Sequence, residues 1–392
     1  MYFKVLHKKL SLMCALLILC VGNVQAIWYE STGSAPIQRG NTDLARQEAV
    51  RNAVKDALLF AGATVKSAQQ VTNGLLTQDT FEVRASGVVN DIQLIDEKKQ
   101  GNHLYVSIRA DIFADERQCF TTQYRKSVAF LPLRIQHSSH TKVGSVYQLP
   151  QMISEQLFHR VSTTTTHIDP RVFLPSQIKM KEGMNNNNLR HELAQVSKQS
   201  ESQYIISGLI KDMSMTERPE AKWKSIFSAD PERFFDLQLY IYDGYTGQQI
   251  QILDYSTQAE WPFDTRQMTD VSSRRFWQSD YGQAITEQLV KATGEIDSIL
   301  KCQPAHGKII ESTGDTIRIN LGHSNNIQVG DKFKISHQAN FVDEDGNDHP
   351  QYVITDYEIV VTDAYSNTAV GKSPTMQLLG NVQVGDIVKQ ID

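Results

Sequence analysis

Three short constellations in the sequence have the residue types that chemistry uses. Gly371-Lys372-Ser373 matches the end of a phosphate-binding loop, in which backbone amides and a lysine cradle phosphate oxygens. That loop needs a glycine five residues before Gly371, where this sequence has Ser366, and a helix must follow. The residues before it have the pattern of a strand, so phosphate binding is not expected here. The run Asp343-Glu344-Asp345-Gly346-Asn347-Asp348 is rich in oxygen ligands. A helix–loop–helix calcium site, however, has glycine at its sixth position and helices on both sides. Here the glycine is fourth and the flanks are strand-like, which predicts an exposed hairpin loop and leaves adventitious calcium binding open. His137 and His140 are three apart in a Ser-rich loop, and His191-Glu192 lacks the second histidine of a zinc-protease helix. No Gly-x-Ser-x-Gly elbow occurs. The expectation is a protein without catalysis, cofactor or metal.

Two cysteines form the fourth constellation, and the N-terminus sets their context. Lys4, Lys8 and Lys9 precede an apolar run from Leu10 to Val21, and Val24-Gln25-Ala26 has the small residues a signal peptidase reads. The run is too short for a comfortable membrane span, so the pattern predicts an exported chain cleaved between Ala26 and Ile27. Lipid attachment at Cys20 is the competing reading, and Leu19 stands where a small residue normally precedes such a cysteine. Cys14 and Cys20 leave with the leader, so Cys119 and Cys302 remain. In an oxidising compartment two cysteines are most simply one disulfide, with two separate thiols as the alternative. The bond would close a loop of roughly 180 residues, worth up to roughly 5 kcal/mol on chain-entropy grounds. Losing the three leader lysines takes the formal charge from −5 to −8. An acidic chain without clustered Lys and Arg is a poor nucleic-acid binder.

Positioning these residues requires three regions of different texture, with expected boundaries 27–119, 120–302 and 303–392 after the leader at 1–26. The first opens with Trp28-Tyr29-Glu30 and a turn-rich stretch from Ser31 to Gly40. Val50, Ala53, Val54, Ala57, Leu58 and Ala61 then recur at helical spacing, with Asn41 or Thr42 as cap and Gly62 as stop. A shorter segment around Leu75 follows. Phe81–Arg84, Val89–Ile95 and Leu104–Ala110 read as strands, the last two joined by a turn at Lys98–Asn102. This predicts a small antiparallel sheet under one or two helices.

The second region reads as a strand over Val128–Leu133, a helix over Tyr147–Val161, and polar loops at Thr163–Thr166 and Asn185–Asn188. A helix at Leu189–Ser200 and a strand at Tyr204–Ile210, apolar enough to be buried on both faces, come next. Alternation from Phe235 to Ile241, a turn at Asp243–Gly247, a strand through Ile250 and Ile252, and a long helix from Tyr281 to Ile299 complete it. The order β-α-α-β-β-β-α predicts an α/β sandwich. The third region has short strands and Gly-rich turns, including a hairpin across Thr313-Gly314-Asp315, and reads as an all-β small barrel. Asn326–Asp331 recurs as Asn381–Asp386, each with a Val-Gly-Asp that reads as backbone turn chemistry rather than a ligand site. The fold class expected is α+β multidomain.

Three stretches carry a family resemblance. They are Trp28–Ala35; Ala57–Ala63 with Val71–Thr77; and Ile108–Phe113 with Arg117-Gln118-Cys119. Together they resemble the N-terminal domain of the FlgT family of flagellar assembly proteins. The second region is similar in element order to the N-terminal domain of TolB, and the third to the FlgT C-terminal barrel. The resemblance implies a periplasmic structural role: an H ring around the LP ring of the basal body near the outer membrane, self-association into that ring, and support for the T ring of MotX and MotY that holds sodium-driven stators. Two other classes stay open from the residues alone. One is a TolB-like envelope adaptor unconnected with the flagellum, and the other is an enzyme acting on cell-wall material.

Overall fold

The computed structural model describes residues 27–38, 40–61, 89–112, 123–174, 186–216, 231–343, 346, 348–375 and 378–391. The expected leader, Gly62, the segment around Leu75, the strand at Phe81–Arg84, and Cys119 lie outside these residues.

The first region contributes β1 (Ile27–Pro36), α1 (Thr42–Ala61), β2 (Val89–Gln100) and β3 (His103–Ile112). Asn41 supplies the expected cap, its Oδ1 accepting the Leu44 N–H at 3.1 Å. Gly40 at φ 75° keeps a turn before α1, but Ser31–Pro36 of the stretch expected as turns belongs instead to the strand β1, which pairs with β3 along its whole length. Its small residues are explained by α1. A Cβ on Gly33 would lie 2.0 Å from the Ala49 carbonyl oxygen and 2.4 Å from the Ala53 nitrogen. Ala45, Ala49, Ala53 and Ala57 face the sheet fully buried, so helix and strand approach closely enough for Ser31 Oγ to donate to the Ala53 carbonyl at 2.6 Å.

The middle region follows as β4 (Lys126–Phe130), β5 (Arg134–Ile135), α2 (Leu149–Thr164), β6 (Ile168–Phe173), α3 (Asn186–Ser200), β7 (Tyr204–Asp212), β8 (Glu232–Asp243), β9 (Gln249–Glu260), α4 (Arg274–Trp277) and α5 (Asp280–Lys301). Its sheet order is β6-β4-β7-β8-β9, parallel from β6 to β7 and antiparallel from β7 to β9. The order read from sequence lacked β6, whose Asp169-Pro170-Arg171 centre has no strand pattern. Proline is tolerated there because β6 is an edge strand. The threonine tract also differs from expectation. Thr163 and Thr164 finish α2, their hydroxyls donating back to the carbonyls of His159 and Arg160 at 2.9 and 2.8 Å. Asn186–Asn188 likewise begin α3. Leu149, Ile153, Leu157 and Val161 of α2, with Ile285, Leu289, Ala292 and Ile296 of α5, pack on Phe235, Leu237, Leu239 and Ile241. Ser279 caps α5 by accepting the Gly282 N–H at 3.3 Å.

The third region supplies β10 (His306–Thr313), β11 (Thr316–Ile319), β12 (Lys332–Val342), β13 (Asp348–Ala364), β14 (Ala369–Lys372) and β15 (Ile387–Ile391). The predicted hairpin is present, with Gly314 at φ 64° between Thr313 and Thr316. β12 pairs with both β15 and β13, so the path β12-β15-β10-β11-β14-β13 returns to its start. The two Val-Gly-Asp turns share one geometry. Gly330 and Gly385 have φ of 98° and 101°, and the carboxylates of Asp331 and Asp386 accept the N–H of Gln328 and Gln383 at 2.9 and 2.7 Å.

The first and third regions were expected to carry separate sheets. They share one of nine strands, because β1 runs parallel to β13 with Trp28 opposite Gln351 and Glu30 opposite Val353. Among the described residues no helix is long and apolar enough to cross a membrane.

Candidate functional site

Gly371 and Lys372 are strand residues of β14, and Gly371 gives its space to the Ile359 side chain. β12 and β13, on either side of the acidic run, pair antiparallel, and Asp343 Oδ2 lies 2.7 Å from His349 Nε2. Glu344, Asp345 and Asn347 lie outside the described residues. His140 lies 3.2 Å from Asp212 and accepts the Met213 N–H, while His191 sits on α3. Among the described residues no three His, Cys, Asp or Glu side chains gather as metal ligands. Cys302 ends α5, and its expected partner is outside the described residues.

What the fold does concentrate is a buried polar junction where all three regions meet. It is organised by the turn between β8 and β9. Asp243 Oδ1 accepts the N–H groups of Tyr245 and Thr246, both at 2.8 Å, and Gly244 N–H donates to the Gln203 carbonyl at 2.7 Å. Gly247 at φ 67° returns the chain to β9. The turn therefore drives Tyr245 out of its own region into the core of the first, against Tyr29, Phe60, Tyr352 and Ile387. Tyr29 and Tyr352 stack with ring centres 5.7 Å apart, and Phe60 tilts against Tyr352 at 5.8 Å. The third region holds Tyr245 in place. Gln338 Nε2 donates to its carbonyl at 2.9 Å, Asn320 Nδ2 to its hydroxyl at 3.4 Å, and Lys308 Nζ sits 4.5 Å from the ring centre.

The charges at this junction are nearly dry. His306 Nε2 lies 3.2 Å from Asp243 Oδ2, and the His306 ring meets the edges of Tyr204 and Tyr245. Burial works to raise the Asp243 pKa, but the His306 ring and the two backbone donors outweigh it and hold the carboxyl below its ordinary range. Lys389, over the Phe60 ring at 5.1 Å, is pushed down to about 8 by burial, with Asp243 opposing. Burial raises the Tyr245, Tyr29 and Tyr352 hydroxyls well above the usual phenol range. Such groups stay neutral and act as packing and hydrogen-bonding elements.

Two further seams fasten the regions. Asn325 accepts the Arg125 N–H through its backbone and donates Nδ2 to the Arg125 carbonyl at 3.0 Å, while Arg171 Nη2 donates to its Oδ1 at 3.1 Å. Lys126 is buried beside this seam, donating to the Tyr124 carbonyl at 3.0 Å and to that of Lys301 at 3.4 Å. Burial lowers its pKa to about 7, with Asp297 opposing. On the β1 side, Arg109 Nε donates to Gln351 Oε1 at 2.8 Å and its guanidinium covers the Phe341 ring at 3.9 Å. Sequence reading did not find this junction, because its members are scattered from Tyr29 to Lys389 and none has a motif around it. Only the Asp-Gly-Tyr-Thr-Gly turn was legible.

The junction ties three regions of the chain together, and comparison with known proteins identifies the family. Family models of flagellar assembly protein T match residues 27–114 (N-terminal domain), 117–271 (middle domain) and 314–390 (C-terminal domain). The chain belongs to the flagellar assembly protein T family. It is a multidomain flagellar assembly protein with α+β architecture. No curated protein matches it significantly. Among solved structures, it is similar to the hypothetical protein CT253 from Chlamydia trachomatis at 12% identity and TM-score 0.31, over 45% of this chain and 98% of that one. It is similar to the PelC dodecamer from Paraburkholderia phytofirmans at 7% identity and TM-score 0.27, over 47% and 94%. Lipoprotein GNA1162 from Neisseria meningitidis gives 9% identity and TM-score 0.26, over 44% and 97%. Likeness at this level leaves the functional argument to the family and to the junction.

Proposed function

We propose that this flagellar assembly protein is a non-catalytic structural block of the basal body, exported to the periplasm and cleaved between Ala26 and Ile27. It self-associates into an H ring around the LP ring and supports the T ring of MotX and MotY, on which sodium-driven stators assemble. The middle region is read as a TolB-like domain, and the returning strand path of the third as its small barrel. The observation that carries the proposal is family membership across all three regions, joined to the buried Tyr245 junction. Ring subunits must meet at a repeatable angle, and a loose hinge would cost free energy at every contact. The junction and the shared sheet remove that freedom within each subunit.

A disulfide between Cys119 and Cys302 belongs to the same design. Cys302 closes α5 beside the Lys126–Lys301 contact. Cys119 lies four residues before Gln123, whose carbonyl accepts Asn326 Nδ2 at 2.7 Å on the same seam. The bond would lock the entry and exit of the middle region to one point.

The test is a clean deletion, scored by swimming and by electron microscopy of isolated basal bodies. Loss of motility with basal bodies lacking the outer ring density is expected. Normal swimming with intact rings would refute the assignment.

A further inference from the structure

The helix α5 spans 22 residues, roughly 33 Å, so its N-terminal end lies far from the seam at Lys126. Around that end aromatic side chains lock together. Trp261, fully buried, meets Phe263 and Tyr281 edge-on with ring centres 5.1 and 5.4 Å apart, and Phe263 stacks on Phe276 at 5.9 Å. The loop after Trp261 is pinned by Gly144, whose N–H donates to the Thr265 carbonyl at 2.9 Å and whose carbonyl accepts the Thr269 N–H at 2.8 Å. A Cβ on Gly144 would lie 2.9 Å from the Trp261 ring, so the close approach requires glycine.

On this platform is a concavity of about 410 Å³ lined by Pro262, Phe263, Arg274, Arg275, Gln278 and Ser279. Its size is that of a small-ligand site. Arg274 and Arg275 are exposed on α4, and among the described residues neither has a carboxylate at ion-pair distance. The exposed Gln278 side-chain amide has no hydrogen-bond partner among them either. Arg275 lies 5.7 Å from the Phe263 ring centre. The acids of the neighbouring loop are turned to their own backbone. Asp264 accepts the Arg266 N–H at 2.8 Å, and Asp270 accepts the Ser272 N–H at 3.0 Å. Ser279 is committed too, donating to the Phe276 carbonyl at 2.6 Å and accepting the Gly282 N–H at 3.3 Å.

Two guanidinium groups, an amide and an apolar floor select among ligands. A guanidinium fork pairs its N–H groups with both oxygens of a carboxylate. In a chain of formal net charge −5, these two arginines stand against the net field and are open to an incoming anion. A phosphate would be better served by the backbone N–H groups of a helix N-terminus. At α5 that position is closed by the Ser279 cap, and Asp280 in the first turn repels an anion. The floor of Pro262 and Phe263 offers no side-chain donor and suits an apolar or aromatic group. The end of a peptide chain presents a carboxylate, a side chain and an amide side by side.

We propose that this pocket binds the C-terminal carboxylate of a partner peptide whose last side chain is aromatic or apolar. Arg274 and Arg275 hold the carboxylate, Pro262 and Phe263 take the last side chain, and Gln278 pairs with the last peptide group. The inference goes beyond the structural role proposed above, because it gives the middle region a ligand site at the pole away from the junction.

The test titrates the full mature chain with the peptide acetyl-Gly-Gly-Phe by isothermal titration calorimetry. Its C-terminal amide, acetyl-Gly-Gly-Ala and inorganic phosphate are the comparison ligands. The acid ending in Phe is expected to bind with a Kd of about 1 mM or tighter. It should bind at least about tenfold tighter than its amide, and several-fold tighter than the peptide ending in Ala. Arg274→Gln with Arg275→Gln should weaken binding about tenfold, with the urea midpoint unchanged because both side chains are exposed. Sodium chloride on the order of 0.5 M should weaken it by screening. No binding at about 10 mM peptide, equal binding of the amide, or indifference to the arginine substitutions overturns the proposal. Phosphate binding as tightly as the peptide overturns the carboxylate assignment. The readout needs no flagellum, so a deletion strain that swims normally would refute the flagellar assignment while leaving this site to stand or fall by itself.

Discussion

The middle and first regions solve the same packing problem with different degrees of independence. The middle region covers its sheet with its own α2 and α5, and its core from Val128 to Leu300 comes from within 123–303. The first region has one described helix and three described strands. Its core is completed by Tyr245 from the middle region and by Tyr352 and Ile387 from the third. Even its strand β1 needs β13 on one side. A region that borrows part of its core is stabilised by having the others in place. Couplings of that kind turn three domains into one part, whereas a self-sufficient domain would be free to swing.

The sharpest way to break this comparison is to separate the pieces. A fragment of residues 123–303 is expected to unfold cooperatively by circular dichroism. A fragment of residues 27–112 is expected to show no cooperative transition. A well-folded first region in isolation would end the argument.

Single substitutions probe the same asymmetry more gently. Tyr245→Ala removes the shared aromatic and leaves a cavity, with an expected loss of about 4 kcal/mol in urea unfolding of the full chain. Tyr245→Phe gives up only the long Asn320 contact and should cost under about 1 kcal/mol. An equal loss in both would mean that the hydroxyl, not the packing, holds the regions together. Next in size is Gly33→Ala, where the new methyl meets α1 backbone rather than a movable side chain. A loss of about 3 kcal/mol is expected, and an unchanged midpoint would show that α1 can retreat from β1. Replacing Cys119 and Cys302 together by Ser should cost about 2 kcal/mol and lower subunit yield, leaving each core folded. Non-reducing gels and peptide mass spectrometry test the bond directly, and free thiols in periplasmic protein would remove it.

The last expected effect is electrostatic. Lys389 titrates near 8 when folded and near about 10.4 when unfolded. Between those values the unfolded chain binds the extra proton, so stability rises with pH across that window. Below it both states are charged, and the buried ammonium lowers stability throughout. Lys389→Met should therefore flatten the rise between about pH 8 and about pH 10.4. It should also raise stability at pH 7 by on the order of 2 kcal/mol. A slope unchanged by the substitution would assign the rise to other groups.

Local patterns were legible where one side of an element faces a core made nearby. The alanine and leucine spacing of α1, the apolar run of β7 and the amphipathic α5 all read correctly from sequence. The repeated Val-Gly-Asp turns did too, because glycine at positive φ is a local requirement. β1 was illegible because Ser31, Gly33 and Ser34 look like turn residues. The smallness of Ser31 and Gly33 answers to α1, which packs across the strand and is placed by the fold. β6 was hidden by Asp169-Pro170-Arg171, tolerated only because the strand ends up at a sheet edge.

By itself the sequence determined the central turns of α1, α2, α3 and α5. It also determined the Gly-containing turns at Thr313–Asp315 and Asp243–Gly247, the two Val-Gly-Asp turns, the three textures and, through the resemblance, the family. The tertiary structure alone decided that the first and third regions share one sheet, and that Tyr245 leaves its own region to fill another's core. Periodicity and turn chemistry act over a few residues and are written locally. The pairing of Trp28 with Gln351 and the meeting of Asp243 with His306 depend on which surfaces can be buried together, and no local pattern encodes that.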